Sequence, residues 1–408
     1  EGIWFAGELG LDGSVRPIRG TLPLARAAGT TGARALALPA ANIDEAALLR
    51  GIPLAGITDL AALVRALKTR RLPCLDHDAQ VVGIDPPSGP DFAEVVGQVK
   101  PKRALEIAAA GGHNCLMVGP PGTGKTMLAR RLPSILPPLD DEALLDVVAI
   151  HSVGGVLPPG AAPTRVPPFR APHHTVSLAG LIGGGPGPRP GEVSLAHRGV
   201  LFLDELLELP RHVLDAMRQP LEDGRVVIAR AAQSVGFPSR FLLLGAANPC
   251  PCGFEGEPAG TCRCSASEVA RYRARLSGPL ADRIDLHVRV GVVSLHDLDR
   301  SAPAESSATI RARVAAARAK QAERYASLPG VRWNAEVPGR WLLTEGAIEP
   351  AARALLRQMA EQLRLSARAF HRTIRVAQTV ADLAGADAVH PDHVAEAFLF
   401  KPMEPVPV

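Results

Sequence analysis

The sequence predicts an α/β fold, a buried parallel sheet flanked by helices, followed by an all-helical C-terminal region. Three observations carry this. Short apolar runs, Cys115 to Val118, Val200 to Leu203 and "FLLLGAA" at 241–247, alternate with helical patterns over residues 92–290, as strands covered on both faces do. A Pro-rich break, "IDPPSGPD" at 84–91, sets them apart from an N-terminal segment. Beyond about Ser301 the pattern is helical, with Ala352, Leu356, Met359 and Leu363 at spacings of 4, 3 and 4 on one face.

A chain of 408 residues exceeds what one core usually serves, which argues for two or three domains. The expected division is 1–84, a linker at 85–91, then 92–300 and 301–408. The first segment opens on strand-like "IWFAGELGL" and continues with helix-like stretches at Ile43 to Leu49 and Leu60 to Leu67. Opening on Glu1 straight into a strand suggests a natural start further upstream. There is no apolar run long enough to span a bilayer and no basic-then-apolar leader, so no membrane partner is expected. Six cysteines without a secretion signal fit a reducing cytoplasm better than a disulfide framework.

Net charge is 45 − 41 = +4, too small to indicate nucleic acid by itself. Residues 308–375 hold 12 Arg and one Lys against five Glu, a local +8. That excess reads either as solvated helix faces or as a nucleic-acid surface.

The most specific signal is "CLMVGPPGTGKTMLARRL" at 115–132. A strand, then Gly119, Pro120, Pro121, Gly122, Thr123, Gly124, Lys125 and Thr126, then a helix expected to stop at Pro133, is a phosphate-binding loop in its proper context. Glycines let backbone N–H groups curl around phosphates at a helix N-terminus. Lys125 is expected on the β/γ-phosphates and Thr126 on Mg²⁺. "GVLFLDE" at 199–205 delivers Asp204, for Mg²⁺, and Glu205, for the attacking water, at the C-terminal end of a strand. The competing reading is a helix N-terminal acid pair. Asn248 ends a third buried strand on the same edge, placed to orient water or contact the γ-phosphate; alone it would be a turn residue.

In this order, these residues resemble the AAA+ ATPases. "FRAPHHTVSLAGLIGGG" (169–185), "RPGEVSLAHRGVLFLDEL" (189–206), "NPCPCG" (248–253), "LSGPLADRIDLHV" (276–288) and "LSARAFHRTIRVAQTVADLAG" (365–385) narrow the likeness to the magnesium-chelatase-like ComM/YifB family, from Ala6 to Phe400. The resemblance implies a P-loop AAA+ parallel-sheet core with β-hairpin inserts and a helical C-terminal lid. It also implies a homohexamer that uses ATP to drive branch migration of DNA in natural transformation. Arg283 falls where related ATPases keep an arginine finger, although beside Asp282 and Asp285 it also reads as a salt-bridge partner. Arg375 matches the lid sensor arginine, with Arg368 the alternative. Residues 221–244 match a pore hairpin, with Arg230 near its tip and placed for branched or single-stranded DNA. Residues 151–192 match a second pore insert. His173 and His174 within it lack a third ligand at suitable spacing and are read as loop packing. A magnesium-chelatase motor subunit and a protein-remodelling ATPase are the rival functions.

"GELGLDGSVRPIRGTLPLARAAG" at 7–29 resembles the second half of a Lon-protease-like domain, with Leu24 at the position of the catalytic lysine. A dyad without its base makes no nucleophile, so no peptidase activity is expected. Last, Cys250, Cys252, Cys262 and Cys264 form C-x-C, nine residues, C-x-C. Zn²⁺ is the favoured reading, as a structural site; two disulfides or free thiols compete with it.

Overall fold

A computed structural model describes residues 2–69, 71–72, 74–75, 89–158, 161, 163–185, 187–230, 233–257, 262–293 and 304–401. Most of the expected linker and the expected boundary at 300/301 lie outside these residues. Five parallel strands form the central sheet: β1 (Cys115–Val118), β2 (Phe169–Arg170), β3 (Val200–Leu203), β4 (Leu242–Ala247) and β5 (Leu286–Arg289), in the order β5-β1-β4-β3-β2. The three apolar runs expected as strands are β1, β3 and β4, and they are the central three.

Alternation along each strand builds two cores. Met117, Phe202, Leu244 and Val288 face helices α1 (Val99–Gly111) and α2 (Lys125–Ile135), where Leu105, Leu128 and Leu132 cover them. Leu116, Leu201, Leu203 and Leu243 face the opposite way, onto Val213, Leu214, Leu280 and Ile284. The α2 helix does not stop at Pro133 as expected. It runs to Ile135, because a proline in the last turn forfeits only one backbone bond while Ser134 and Ile135 remain buried. The stretch from Ile43 is likewise shorter than expected, helical only to Ala46.

The N-terminal segment has a sheet of Ile3–Phe5, Ala35–Pro39, Leu54–Ile57 and Cys74–Leu75, the last pair antiparallel. Its helix Thr21–Thr30 packs on the helix Asp141–Gly154, with Leu22 against Leu139, Leu144 and Val147. Leu24 contributes to this segment's own core.

The C-terminal region is helical, chiefly α3 (Ser307–Arg324) and α4 (Ala367–Leu383). Its excess of arginine is mostly consumed internally, which neither reading of the charge anticipated. Arg318 stacks on Trp333 and donates to the Ala109 carbonyl, and Arg324 pairs with buried Asp382 at 2.5 Å. Arg372 donates to the Ile284 carbonyl at 3.0 Å. Arg318 and Arg372 tie the lid to the α/β core, whereas Arg324 joins two helices of the lid itself.

His287, on β5, is buried, and its Nε2 has no partner within the described residues. Burial first, then the nearby Arg372 charge, pushes its imidazole from an ordinary 6.5 to about 4. Between those values the unfolded chain binds a proton that the native chain refuses. This contribution is therefore fully present above pH 6.5 and is lost as pH falls towards 4, amounting to about 3 kcal/mol. His287→Gln is expected to flatten the acid-side fall of Tm in that window; an unaltered slope would remove His287 as its cause.

Candidate nucleotide site

The loop between β1 and α2 has the backbone a phosphate cradle requires. A Cβ on Gly119 would sit 2.1 Å from the Val290 carbonyl oxygen, so no other residue fits there. Gly124, the N-cap of α2, takes φ +86°, which a side chain rarely allows. Lys125 Nζ donates to the Gly119 and Pro120 carbonyls at 2.7 Å each and lies 3.3 Å from Asn248 Oδ1. Burial holds this ammonium below its ordinary pKa, opposed by the charges of Asp204 and Glu205. Thr126 Oγ1 donates to Asp204 Oδ2 at 2.6 Å. Parallel pairing of β3 with β4 and of β4 with β1 sets Asp204, Asn248 and the loop along one sheet edge. The structure thus brings together Lys125, Thr126, Asp204 and Asn248 as the sequence predicts. Donors at a helix N-terminus suit a triphosphate, and an oxygen pair from Thr126 and Asp204 suits Mg²⁺.

Glu205 joins them in a conformation that spacing does not reveal. Its backbone has φ +49°, uncommon for a residue with a side chain, and its N–H donates to Asp204 Oδ1 at 3.0 Å. Its carboxylate oxygen Oε2 lies 3.0 Å from Nδ1 of His174. His174 follows β2, which pairs with β3, and its ring lies against that of His173 at 4.1 Å. Loop packing therefore describes His173, whereas His174 reaches the acid. The signal available in the sequence was the His173–His174 pair alone, since the pairing of the preceding strand with that of Glu205 is visible only in the fold. Gln98 gave no signal at all: its Nε2 donates to Gly291 O at 2.8 Å and to Thr123 O at 3.3 Å, clamping the loop to the segment after β5.

Arg283 and Arg375 stand apart from this cluster. Arg283 lies just before β5, its carbonyl accepting from Asn114 Nδ2 at 2.8 Å and its guanidinium paired with Glu222. Arg375 donates to the Val337 carbonyl at 2.7 Å, and Arg368 pairs with Asp282 at 3.1 Å. With Arg372 they line a cavity of about 880 Å³, which also takes in Asn114 and Leu242 at the N-terminal ends of β1 and β4. That is the sheet edge opposite Lys125.

Two family models match the chain from residue 91 onward: "Magnesium chelatase, subunit ChlI" over residues 91–298 and its C-terminal companion over 304–401. The chain is 45% identical over 407 residues to an uncharacterised protein of Mycobacterium tuberculosis, covering 98% of this chain and 79% of that one. It is 38% identical over 405 residues to competence protein ComM of Haemophilus influenzae, covering 98% and 77%. It is also 38% identical over 402 residues to YifB of Escherichia coli, with the same coverage. The chain belongs to the ComM/YifB family of magnesium-chelatase-like AAA+ ATPases.

Two further features belong to this family member, a hairpin whose base, Gly224 and Ser239, lines the cavity at the edge opposite Lys125, and a cysteine cluster beside the nucleotide site. Arg225–Arg230 and Gln233–Pro238 form an antiparallel hairpin that buries Val226, Ile228 and Phe237 on one face. Arg230 pairs in register with Gln233 next to the turn, whose residues lie outside those described. Beyond Asn248, the sulfurs of Cys250, Cys252, Cys262 and Cys264 all lie within 4.8 Å of one another. Separations of 3.4, 3.6 and 3.8 Å among the first three match the edge, about 3.8 Å, of a tetrahedron with bonds of about 2.3 Å around Zn²⁺. Backbone N–H groups of Phe254, then Arg263, hold the Cys252 thiol down at about 6. Against the Cys252 backbone N–H, which favours the thiolate, burial and then the neighbouring sulfurs push the Cys264 thiol up to about 12. Four cysteine sulfurs at these separations form a set that suits a soft dication.

Proposed function

We propose that this chain is the subunit of a homohexameric ring that uses ATP hydrolysis to move DNA and drive branch migration of recombination intermediates. The carrying observation is the split between sheet edges. Lys125, Thr126, Asp204, Glu205 and Asn248 gather at one edge, and Arg283 lies at the other. An arginine finger on the far edge is used only if a second copy presents its nucleotide there. The competence role of the Haemophilus relative supports natural transformation as the setting, with the cytoplasm as its site of action.

In this mechanism Lys125 and the loop N–H groups hold the β- and γ-phosphates, and Thr126 and Asp204 hold Mg²⁺. When bound there, Mg²⁺ would neutralise charge on the phosphates. Glu205 accepts a proton from the attacking water, and Asn248 orients that water. His174 orients the Glu205 carboxylate through its 3.0 Å contact. Arg283, with Arg375 beside it, faces the neighbouring copy's γ-phosphate. Arg230 contacts DNA phosphate from the hairpin. The N-terminal segment is a non-proteolytic Lon-like region, and the four cysteines hold a structural Zn²⁺.

The test is ATP turnover together with movement of a synthetic four-way junction by the purified protein. Binding to DNA should weaken steeply with salt. A protein that hydrolyses ATP yet neither binds DNA nor moves a junction would overturn the motor reading. His174→Ala is expected to lower turnover at saturating ATP by about tenfold, the value of one charge-assisted hydrogen bond. Nucleotide affinity should stay unchanged, and equal turnover would detach His174 from the base.

A further inference from the structure

The cysteine cluster does more than sit near the nucleotide site, because its backbone lies directly on the phosphate loop. Gly253, one residue past Cys252, takes φ +88°, and a Cβ added to it would lie 2.7 Å from Cδ and 2.9 Å from Cγ of Pro121. Pro121 is the third residue of the loop. The same turn is closed by the Gly253 N–H on the Cys250 carbonyl at 3.0 Å. Two arginines strap it from outside. Arg289, at the end of β5, donates to the Glu255 carbonyl at 3.0 Å, and Arg273 pairs with the Glu255 carboxylate at 2.5 Å and donates to the Pro249 carbonyl at 3.3 Å. On its other side the knuckle continues from Asn248, which touches Lys125. Pro121 is thus backed by a turn whose shape depends on where Cys250 and Cys252 are held.

We infer that a soft divalent cation, Zn²⁺, bound by Cys250, Cys252, Cys262 and Cys264 braces the phosphate loop through Gly253 and Pro121, so that metal occupancy sets nucleotide affinity. The inference rests on the reading of residues 119–126 as the phosphate-binding loop. The physical route is short. Four metal–sulfur bonds fix the turn at 250–253, the fixed turn limits the loop's excursions at Pro121, and a loop already in its binding shape loses less conformational freedom when it takes a triphosphate. Without the metal the turn keeps its Arg273, Arg289 and Gly253 contacts but loses the tie across the 12 residues from Cys250 to Cys262, so its excursions widen.

The experiment uses the purified full chain, measuring bound zinc per chain and the affinity for a fluorescent ADP analogue. Four proteins are compared: wild type, Cys262→Ser, Gly253→Ala and Lys125→Ala. Wild type is expected to carry one zinc. Cys262→Ser should lose it and bind the analogue about tenfold more weakly, a change of ~1.4 kcal/mol. Gly253→Ala should keep its zinc and still lose a similar factor, because the methyl group pushes on Pro121 without touching a ligand. That second variant decides the matter if Cys262→Ser fails to fold. Wild-type affinity in zinc-loaded Gly253→Ala, or in a folded, zinc-free Cys262→Ser, would overturn the coupling, as would a wild type without metal. Lys125→Ala separates this from failure of the loop reading itself. If zinc-loaded wild type and Lys125→Ala bind the analogue equally, the loop is not the nucleotide site and the inference falls with it.

Discussion

Glu205→Gln is expected to lower ATP turnover by about 10²–10⁴-fold, the range spanned by loss of a general base, while leaving nucleotide affinity close to wild type. The substitution keeps the size of the side chain and removes its capacity to take a proton. The hydrogen bonds of the phosphate grip stay in place, since Lys125 and Thr126 bond to the loop carbonyls, Asp204 and Asn248, and of the two carboxylates that support the Lys125 ammonium Asp204 remains. Lys125→Ala should behave oppositely. It removes the buried cation that faces the phosphates, so binding itself is lost along with turnover. The pair of variants separates holding from hydrolysis, and both are read by steady-state turnover alongside binding of a fluorescent nucleotide. Turnover by Glu205→Gln within threefold of wild type would assign the base to another residue.

Arg283→Ala is expected to cost about 10³-fold in turnover, the lower range for an arginine finger, with the fold intact. Its guanidinium partner Glu222 is well exposed, and such pairs contribute under about 1 kcal/mol. The decisive measurement is complementation. Arg283→Ala keeps a sound nucleotide loop and lacks a finger, whereas Lys125→Ala keeps the finger and lacks the loop. In mixed rings some interfaces join the sound half of each, so mixing two inactive proteins should restore measurable turnover. Absence of any recovery in assembled mixed rings would mean that Arg283 does not act across an interface. The 880 Å³ cavity it shares with Arg372 and Arg375, on the edge away from Lys125, is what makes action in trans the expectation.

Much of this site was legible because its chemistry is local in sequence. A phosphate loop is eight consecutive residues, and Asp204 and Glu205 follow a strand written as four consecutive apolar residues. Other features depend on contacts between residues far apart. His174 meets Glu205 across 31 positions and Gln98 meets Gly291 across 193. No periodicity connects such pairs. The cluster of arginines misled for a related reason. Charge counted along the chain does not know that Asp382, Glu106 or the Ala109 carbonyl waits opposite each guanidinium. Pro133 was misplaced as a helix end because propensity was weighed without the burial of Ser134 and Ile135.

By itself the sequence determined the α/β class, the three central strands, the loop, the acid pair and the family likeness. Each is encoded by neighbouring residues, through side-chain alternation, glycine conformation or a fixed spacing. Only the tertiary structure decided which edge of the sheet each group occupies. Strand order decides that, because parallel pairing of β1, β4 and β3 aligns their C-terminal ends whatever their separation in the chain. The same pairing carries Arg283 to the opposite edge and seats the cysteine turn on Pro121. These placements arise from packing between distant segments, which a linear reading cannot see.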